Sequence, residues 1–423
     1  MRLILLTGFL ILCAHARTQI LTGITETEVS RIEKTLASDD MRGRKVYTPG
    51  IEKAATFIMN EFRESGLVPL KGAKGYAQDF ALVEPGMVEM TATLDGKPVD
   101  SRNIMVLSAE PVISISTKDN YQKVYVRKDD NLSEVFFKYL DEDKNVVVLV
   151  DTSFAAKFHR LAQIQLSQFS GSGNRIFILT ASSPTEYDIR IRQTPKNKKL
   201  KNIVGVIPGK SKPDEYVIFS AHYDHLGVGQ PDASGDTIYN GANDNASGTT
   251  AILTLARYFG KTKSNERSIV FVAFTAEEIG EFGSAYFSRQ FNPEKVVAML
   301  NIEMIGTESK WGGNSAYITG FDKSSLGPLL QKNLAGTTFT FYPDPYTEEM
   351  LFLRSDNASL AKRGVPAHTI STSKMDSEKY YHTRGDEVGT LDLANMTRVI
   401  SAIGISAGPI ISGAETPTRV KTD

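Results

Sequence analysis

The sequence holds a single cysteine, Cys13, in 423 residues. Disulfide cross-links within the chain are therefore excluded, and a thiolate nucleophile or ligand has one position open to it. Histidine is scarce, at six, and tryptophan occurs once. Neither sign of charge dominates: 48 Lys and Arg against 49 Asp and Glu leave a formal net charge of -1. That balance excludes the basic footprint of a nucleic-acid binder, and no long basic run points to a membrane surface. Long apolar runs are missing too. The stretch Leu3–Cys13 falls well short of the ~20 residues that cross a bilayer, and the apolar C-terminal stretch holds Gly and Pro.

What remains is ordinary globular composition, 41% hydrophobic and 23% charged, with length for one large or two medium domains. Arg2, the short apolar run and Ala14-His15-Ala16 read as a secretory signal peptide cut after Ala16. The mature chain is then expected outside the cytoplasm, periplasmic or secreted, with no integral membrane segment and no cysteine. Any metal would be held by carboxylates and by His159, His222, His225, His368 and His382. Oligomeric state is left open.

Behind residues 1–16, residues 17–85 read as a helical N-terminal part, with helices near Glu28–Leu36 and Ile51–Phe62 and an irregular link through Arg42-Gly43-Arg44. Residues 86–200 are expected to form an inserted, β-rich or α+β domain. Its strands fall near Met87–Leu94, Lys123–Val126, Val146–Val150 and Arg175–Thr180, with a helix over Phe154–Gln168. The basic run Lys196–Lys201 reads as a solvated linker closing it. From residue 201 to 423, apolar β-type runs alternate with helices, which predicts an α/β fold with a mostly parallel sheet covered on both faces. Ligands of such sheets bind beyond the carboxyl ends of the strands.

His or carboxylate residues recur there. Tyr216–His222 is an apolar strand ending in His222-x-Asp224, where the carboxylate could accept the second ring N–H of the imidazole. Asn240–Gly248 offers Asp244 in a polar, Gly-flanked turn before a helix. Ile269–Phe274 leads into the adjacent pair Glu277-Glu278, and Val296–Leu300 into Glu303. Tyr380-Tyr381-His382 sits in a late loop. Each has a plain structural reading on its own: a hydrogen-bonded strand-end histidine, a helix N-cap, a carboxylate pair eased by a helix dipole, a packed tyrosine. Together His222, Asp244, Glu278, Glu303 and His382 form an N/O ligand set suited to zinc. Glu277 would then serve as general base and acid, and Tyr381 as a donor to a developing oxyanion. His225 reads as a loop residue, and His159 and His368 as structural.

The ordered motifs His222-x-Asp224, Gly241–Gly248, Ala276-Glu277-Glu278-Ile279-Gly280, Asn301–Gly306 and His382-Thr383 resemble the M28 peptidase family of co-catalytic zinc aminopeptidases and carboxypeptidases. The likeness covers about 210 residues from Asn202 onward. Gly43-Arg44, Ser355-Asp356 and Gly364–Ala367 resemble the family as well. The resemblance implies that His222 and Glu303 bind one zinc, Glu278 and His382 a second, and that Asp244 bridges them. It also implies that Asp224 orients His222, and that the peptide after Asp244 is cis. Most members carry Asp at the position of Glu303, so one tightly held zinc is the alternative to two. Glutaminyl cyclases, which resemble this family, use one. The expected function is release of N-terminal residues from peptides, against carboxypeptidase, glutaminyl cyclase or a non-catalytic binding homologue. The specificity pocket is expected to draw on loops around 338–354 and on the insertion, which faintly resembles a protease-associated domain.

Overall fold

The computed structural model describes residues 21–163 and 166–421; the predicted signal peptide and Cys13 lie outside them. The chain divides into two compact units, residues 1–78 with 201–423, and residues 79–200. The insertion thus starts before the expected residue 86.

Seven strands of the main sheet lie in the first unit. In chain order they are β1 (Lys196–Ile207, its residues from 201 on), β2 (Lys212–His222), β3 (Arg267–Phe274), β4 (Val296–Ile302), β5 (Ser315–Ile318), β6 (Thr340–Pro343) and β7 (Ala367–Ser371). Their order across the sheet is β6-β5-β7-β4-β2-β3-β1. β3, β2, β4 and β7 run parallel, while β1 pairs antiparallel with β3 and β5 antiparallel with β7. The basic run at 196–201 is therefore strand, not linker. Its lysines lie on both faces, Lys196 and Lys198 on one and Lys199 and Lys201 on the other, so charge left no period-2 pattern to read.

Six helices of seven or more residues belong to this unit: α1 (Glu26–Leu36), α2 (Pro49–Glu64), α3 (Ser247–Thr262), α4 (Phe282–Ser288), α5 (Leu326–Lys332) and α6 (Leu393–Ile411). α1 starts where the Thr25 side chain accepts the Glu28 N–H, and buries Val29, Ile32 and Leu36 on one stripe. α2 begins with Pro49, whose fixed φ suits a first turn, and buries Ile51, Ala54, Ile58 and Phe62. These faces meet α3, α6 and one side of the sheet in a single core. At its centre Phe271 is fully buried and stacks on Phe219, with ring centroids 5.4 Å apart. Truncating such a ring costs about 3–5 kcal/mol. No helix among the described residues is long and apolar enough to cross a membrane.

The second unit has two four-stranded sheets. One orders Lys97–Val99, Val88–Leu94, Tyr187–Gln193 and Val112–Ser116, all antiparallel. The other orders Ile104–Leu107, Arg175–Leu179, Val146–Val150 and Gln122–Val126. Val147, Leu149, Ile176 and Ile178 face the first sheet, while Val146, Val148, Val150 and Phe177 meet helix Leu132–Asp141 and Phe158. The helix expected over 154–168 is only Ala155–Leu161, and Gln168–Phe169 is a short strand.

Candidate metal centre

Parallel pairing carries β2, β3 and β4 to the same edge of the sheet, and each ends in a chemical group. His222 is the last residue of β2, Glu277 and Glu278 follow Phe274 of β3, and Glu303 follows Ile302 of β4. The fourth contributor, Asp244, comes from the turn before α3. That turn is stitched to the end of β4 by its own side chains. Asn245 Oδ1 accepts the N–H groups of Gly248 and Met304, Ser247 Oγ accepts that of Ile305, and Asn243 Oδ1 that of Gly306. The polar excess of the motif thus ties two loops together rather than capping one helix. Gly248 permits the approach, since a Cβ there would lie 2.2 Å from the Ile302 carbonyl oxygen. The Asp244–Asn245 peptide is cis.

The two oxygens of Asp244 face different partners. Oδ1 is 3.3 Å from His222 Nε2, and Oδ2 is 3.2 Å from His382 Nε2. On the first side Glu303 Oε1 stands 4.0 Å from His222 Nε2. On the second, Glu278 Oε2 stands 3.1 Å from His382 Nε2. His222 Nε2 is buried without a hydrogen-bond partner, although acceptors surround it. Groups that bind zinc at ~2.0–2.2 Å in a tetrahedron are themselves a little over 3 Å apart; three of these spacings match, and Glu303 stands wider at 4.0 Å. Imidazole nitrogens and hard carboxylate oxygens converge, with His222, Asp244 and Glu303 within 4.8 Å of one another. The residues present fit a metal on each side of Asp244.

His225 makes a third imidazole at the centre. It is buried, its Nδ1 lies 2.6 Å from Glu278 Oε1, and with Asp244 and Glu278 it forms a second group able to hold an ion. The loop reading of His225 is corrected here. Its spacing from His222, in His-x-x-His at a strand end, was the available signal. His382 Nε2 faces Asp244 Oδ2 and Glu278 Oε2 almost equally, whereas His225 bonds the other oxygen of Glu278. His382 thus reaches both carboxylates of that side, and His225 bonds Glu278.

Asp224 differs from expectation in its contacts. His222 Nδ1 is nearest the Asp224 main-chain oxygen, at 3.2 Å, with the carboxylate at 3.9 Å. The Asp224 carboxylate instead accepts the backbone N–H groups of Glu277 and Glu278, at 3.2 and 3.3 Å. It holds the loop that carries those two side chains. Glu277 Oε2 is 3.9 Å from His222 Nε2, on the first side. The Tyr381 ring stacks on His382 with centroids 3.9 Å apart. Ala276, Met304 and His382 all have left-handed backbone, with φ of 60°, 51° and 55°. Such non-glycine residues are sparse, and here each lies at or beside a site residue. His159 contacts Asn103, and His368 is bonded by Ser324 and the Thr319 carbonyl, both remote in role from this centre.

Burial drives the electrostatics. It pushes Glu277 and Glu303 above the ordinary carboxylate range, reinforced for Glu277 by Glu303, Asp356 and Asp244. Burial also acts on Asp244, but the imidazoles of His222, His382 and His225 beside it hold it low. Hydrogen bonds to Asp244 and Glu278 raise His382 to about 10. So many buried carboxylates are costly together without cations among them. Arg44 supplies one from behind. Fully buried, its guanidinium donates to the carbonyls of Leu36, Tyr223, Asn240 and Gly241, which fixes the loops leading to Asp224 and Asp244.

A cavity of about 60 Å³ opens beside Glu303, lined by Tyr317, Leu351, Arg354, Ser371, Met375 and Tyr381 among others. Part of the 338–354 stretch does reach it.

Residues 202–404 match Peptidase family M28. A probable leucine aminopeptidase 2 of Trichophyton verrucosum is 25% identical over 279 residues, covering 59% of this chain and 53% of that one. Leucine aminopeptidase 1 of Ajellomyces capsulatus is 29% identical over 209 residues, 46% of this chain and 52% of that one. The chain thus spans about half the length of these curated relatives. Among solved structures, a zinc aminopeptidase from Bacillus subtilis superposes with a TM-score of 0.56 at 16% identity, over 95% of this chain and 98% of that one. An aminopeptidase from Aneurinibacillus sp. strain AM-1 gives 0.55 at 16%, over 97% and 98%. These likenesses show a common fold. The family likeness therefore rests on residues 202–404, the stretch that carries His222, Asp244, Glu277, Glu278, Glu303 and His382.

Proposed function

We propose that the chain is a zinc-dependent aminopeptidase that releases N-terminal residues from peptides. The observation that carries this is the division of Asp244, one oxygen toward His222 and Glu303, the other toward His382 and Glu278. His222, Asp244 and Glu303 would hold one zinc, and Asp244, Glu278 and His382 a second. When bound, such ions supply Lewis acidity toward a substrate carbonyl and lower the pKa of water.

The chain's own residues do the rest. Glu277 is held by its backbone N–H on Asp224 and stands beside the His222 side of the centre. From there it takes the proton of the attacking water and returns it to the departing amine. Tyr381, fixed by its stack on His382, supplies a hydroxyl for the oxyanion. The cavity by Glu303 receives the N-terminal side chain. The aminopeptidase names of the family relatives support removal from the N-terminus. Export is proposed from the pattern of residues 1–16 alone.

Glu277→Gln keeps the ligand set and removes the base. It should retain zinc and lose ~10²–10⁴-fold in turnover; activity within tenfold of the parent would refute the role. Digestion of N-blocked and C-blocked peptides separates the polarity: an aminopeptidase cleaves only those with a free N-terminus.

A further inference from the structure

Glu303 is pinned by a chain of hydrogen bonds whose direction can be read group by group. Asn357 Nδ2 faces two main-chain carbonyls, of Phe352 and Ala367, which can only accept. Its Oδ1 must then accept from Thr369 Oγ1, 2.8 Å away. With its hydroxyl proton committed, Thr369 Oγ1 accepts from Asn301 Nδ2 at 3.1 Å. That orients the Asn301 amide, whose Oδ1 accepts from Ser220 at 2.8 Å and whose Nδ2 also donates to Ser355 Oγ at 2.8 Å. Ser355 is left with one proton, and it goes to Glu303 Oε2. Ser220, Asn301, Ser355, Asn357 and Thr369 are all buried, so water does not compete.

Glu303 Oε2 is thereby held away from the centre, and Oε1 is the atom that faces His222 Nε2, at 4.0 Å. A glutamate has one more side-chain torsion than aspartate, and each free torsion must be ordered before a ligand atom is in place. We propose that Ser355 is a positioning residue for Glu303. Set by the Asn357–Thr369–Asn301 network, it fixes the long glutamate side chain and aims Oε1 at the metal position beside His222. The inference rests on the zinc centre proposed above.

The test is zinc binding, read by calorimetry and elemental analysis on the chelator-stripped full chain. The parent should take up two zinc ions. Ser355→Ala should weaken one of the two by about 10–100-fold, the range for residues that orient a ligand, and leave the other unchanged. Ser355→Thr keeps a hydroxyl donor at this position and should hold both sites near parental affinity. Two sites of parental affinity in Ser355→Ala would overturn the positioning role while leaving the proposed function intact. An equal loss at both sites with a lowered melting temperature of the stripped protein would also overturn it, because a general packing defect does that. A parent that binds no zinc would overturn the proposed function itself, and this inference with it.

Discussion

Asp244 is the residue on which the two halves of the centre depend. An asparagine there keeps the shape but replaces one acceptor oxygen with a donor, so only one side can retain its ligand. Asp244→Asn should therefore lose at least one of two zinc ions by elemental analysis; an unchanged content would contradict the bridge. Residues of this kind were legible because strand ends announce themselves: an apolar run stops and a His or carboxylate follows. Orientation was not legible. His222-x-Asp224 predicts a side-chain contact to the imidazole, yet the chain turns so that the Asp224 main-chain oxygen is nearest and its carboxylate serves the Glu277 and Glu278 amides. His225 was missed for the same reason. Whether a side chain three residues past a strand end returns to the centre depends on the loop, and here Arg44, some 180 residues earlier, bonds Tyr223 and draws it in.

Among the elements, α1 carries a buried charge-bearing group into the core. Glu33 is fully buried, accepts from Thr250 Oγ1 of α3 at 2.7 Å, and is raised by that burial to about 8. An unfolded carboxyl of this type titrates near 4.5. Between those values the native chain keeps a proton that the unfolded chain has released, so this contribution is complete below the lower value and is lost as pH rises toward 8. Glu33→Gln cannot ionise. Its melting temperature relative to the parent should climb between pH 5 and 8, and parallel profiles would show that Glu33 does not titrate in this window. Sequence patterns located α1 and α2 to within a few residues, since each has a continuous apolar stripe. They failed where charge covered both faces, as at 196–201, and where charged residues alternate with the buried ones, as at Tyr187–Gln193.

At the scale of the whole chain, the two units have separate cores, and the candidate metal ligands all belong to one. Ligand binding stabilises only the unit that binds. Scanning calorimetry should resolve two transitions, of which a chelator lowers the one belonging to residues 21–78 with 201–421, and zinc restores it. A single transition, or an equal shift of both, would mean that the units unfold as one.

The discontinuity of that larger unit has a consequence for synthesis. α1 and α2 leave the ribosome before α3 and α6, with which Ile32 and Ile58 share one core, and α6 starts only at Leu393. At ~5–20 residues per second, more than 350 residues intervene between the end of α1 and α6. For roughly twenty seconds to a minute two amphipathic helices lack part of the surface they settle on. The nascent chain therefore exposes apolar helix faces while it grows, and the candidate metal centre cannot close before His382 has emerged.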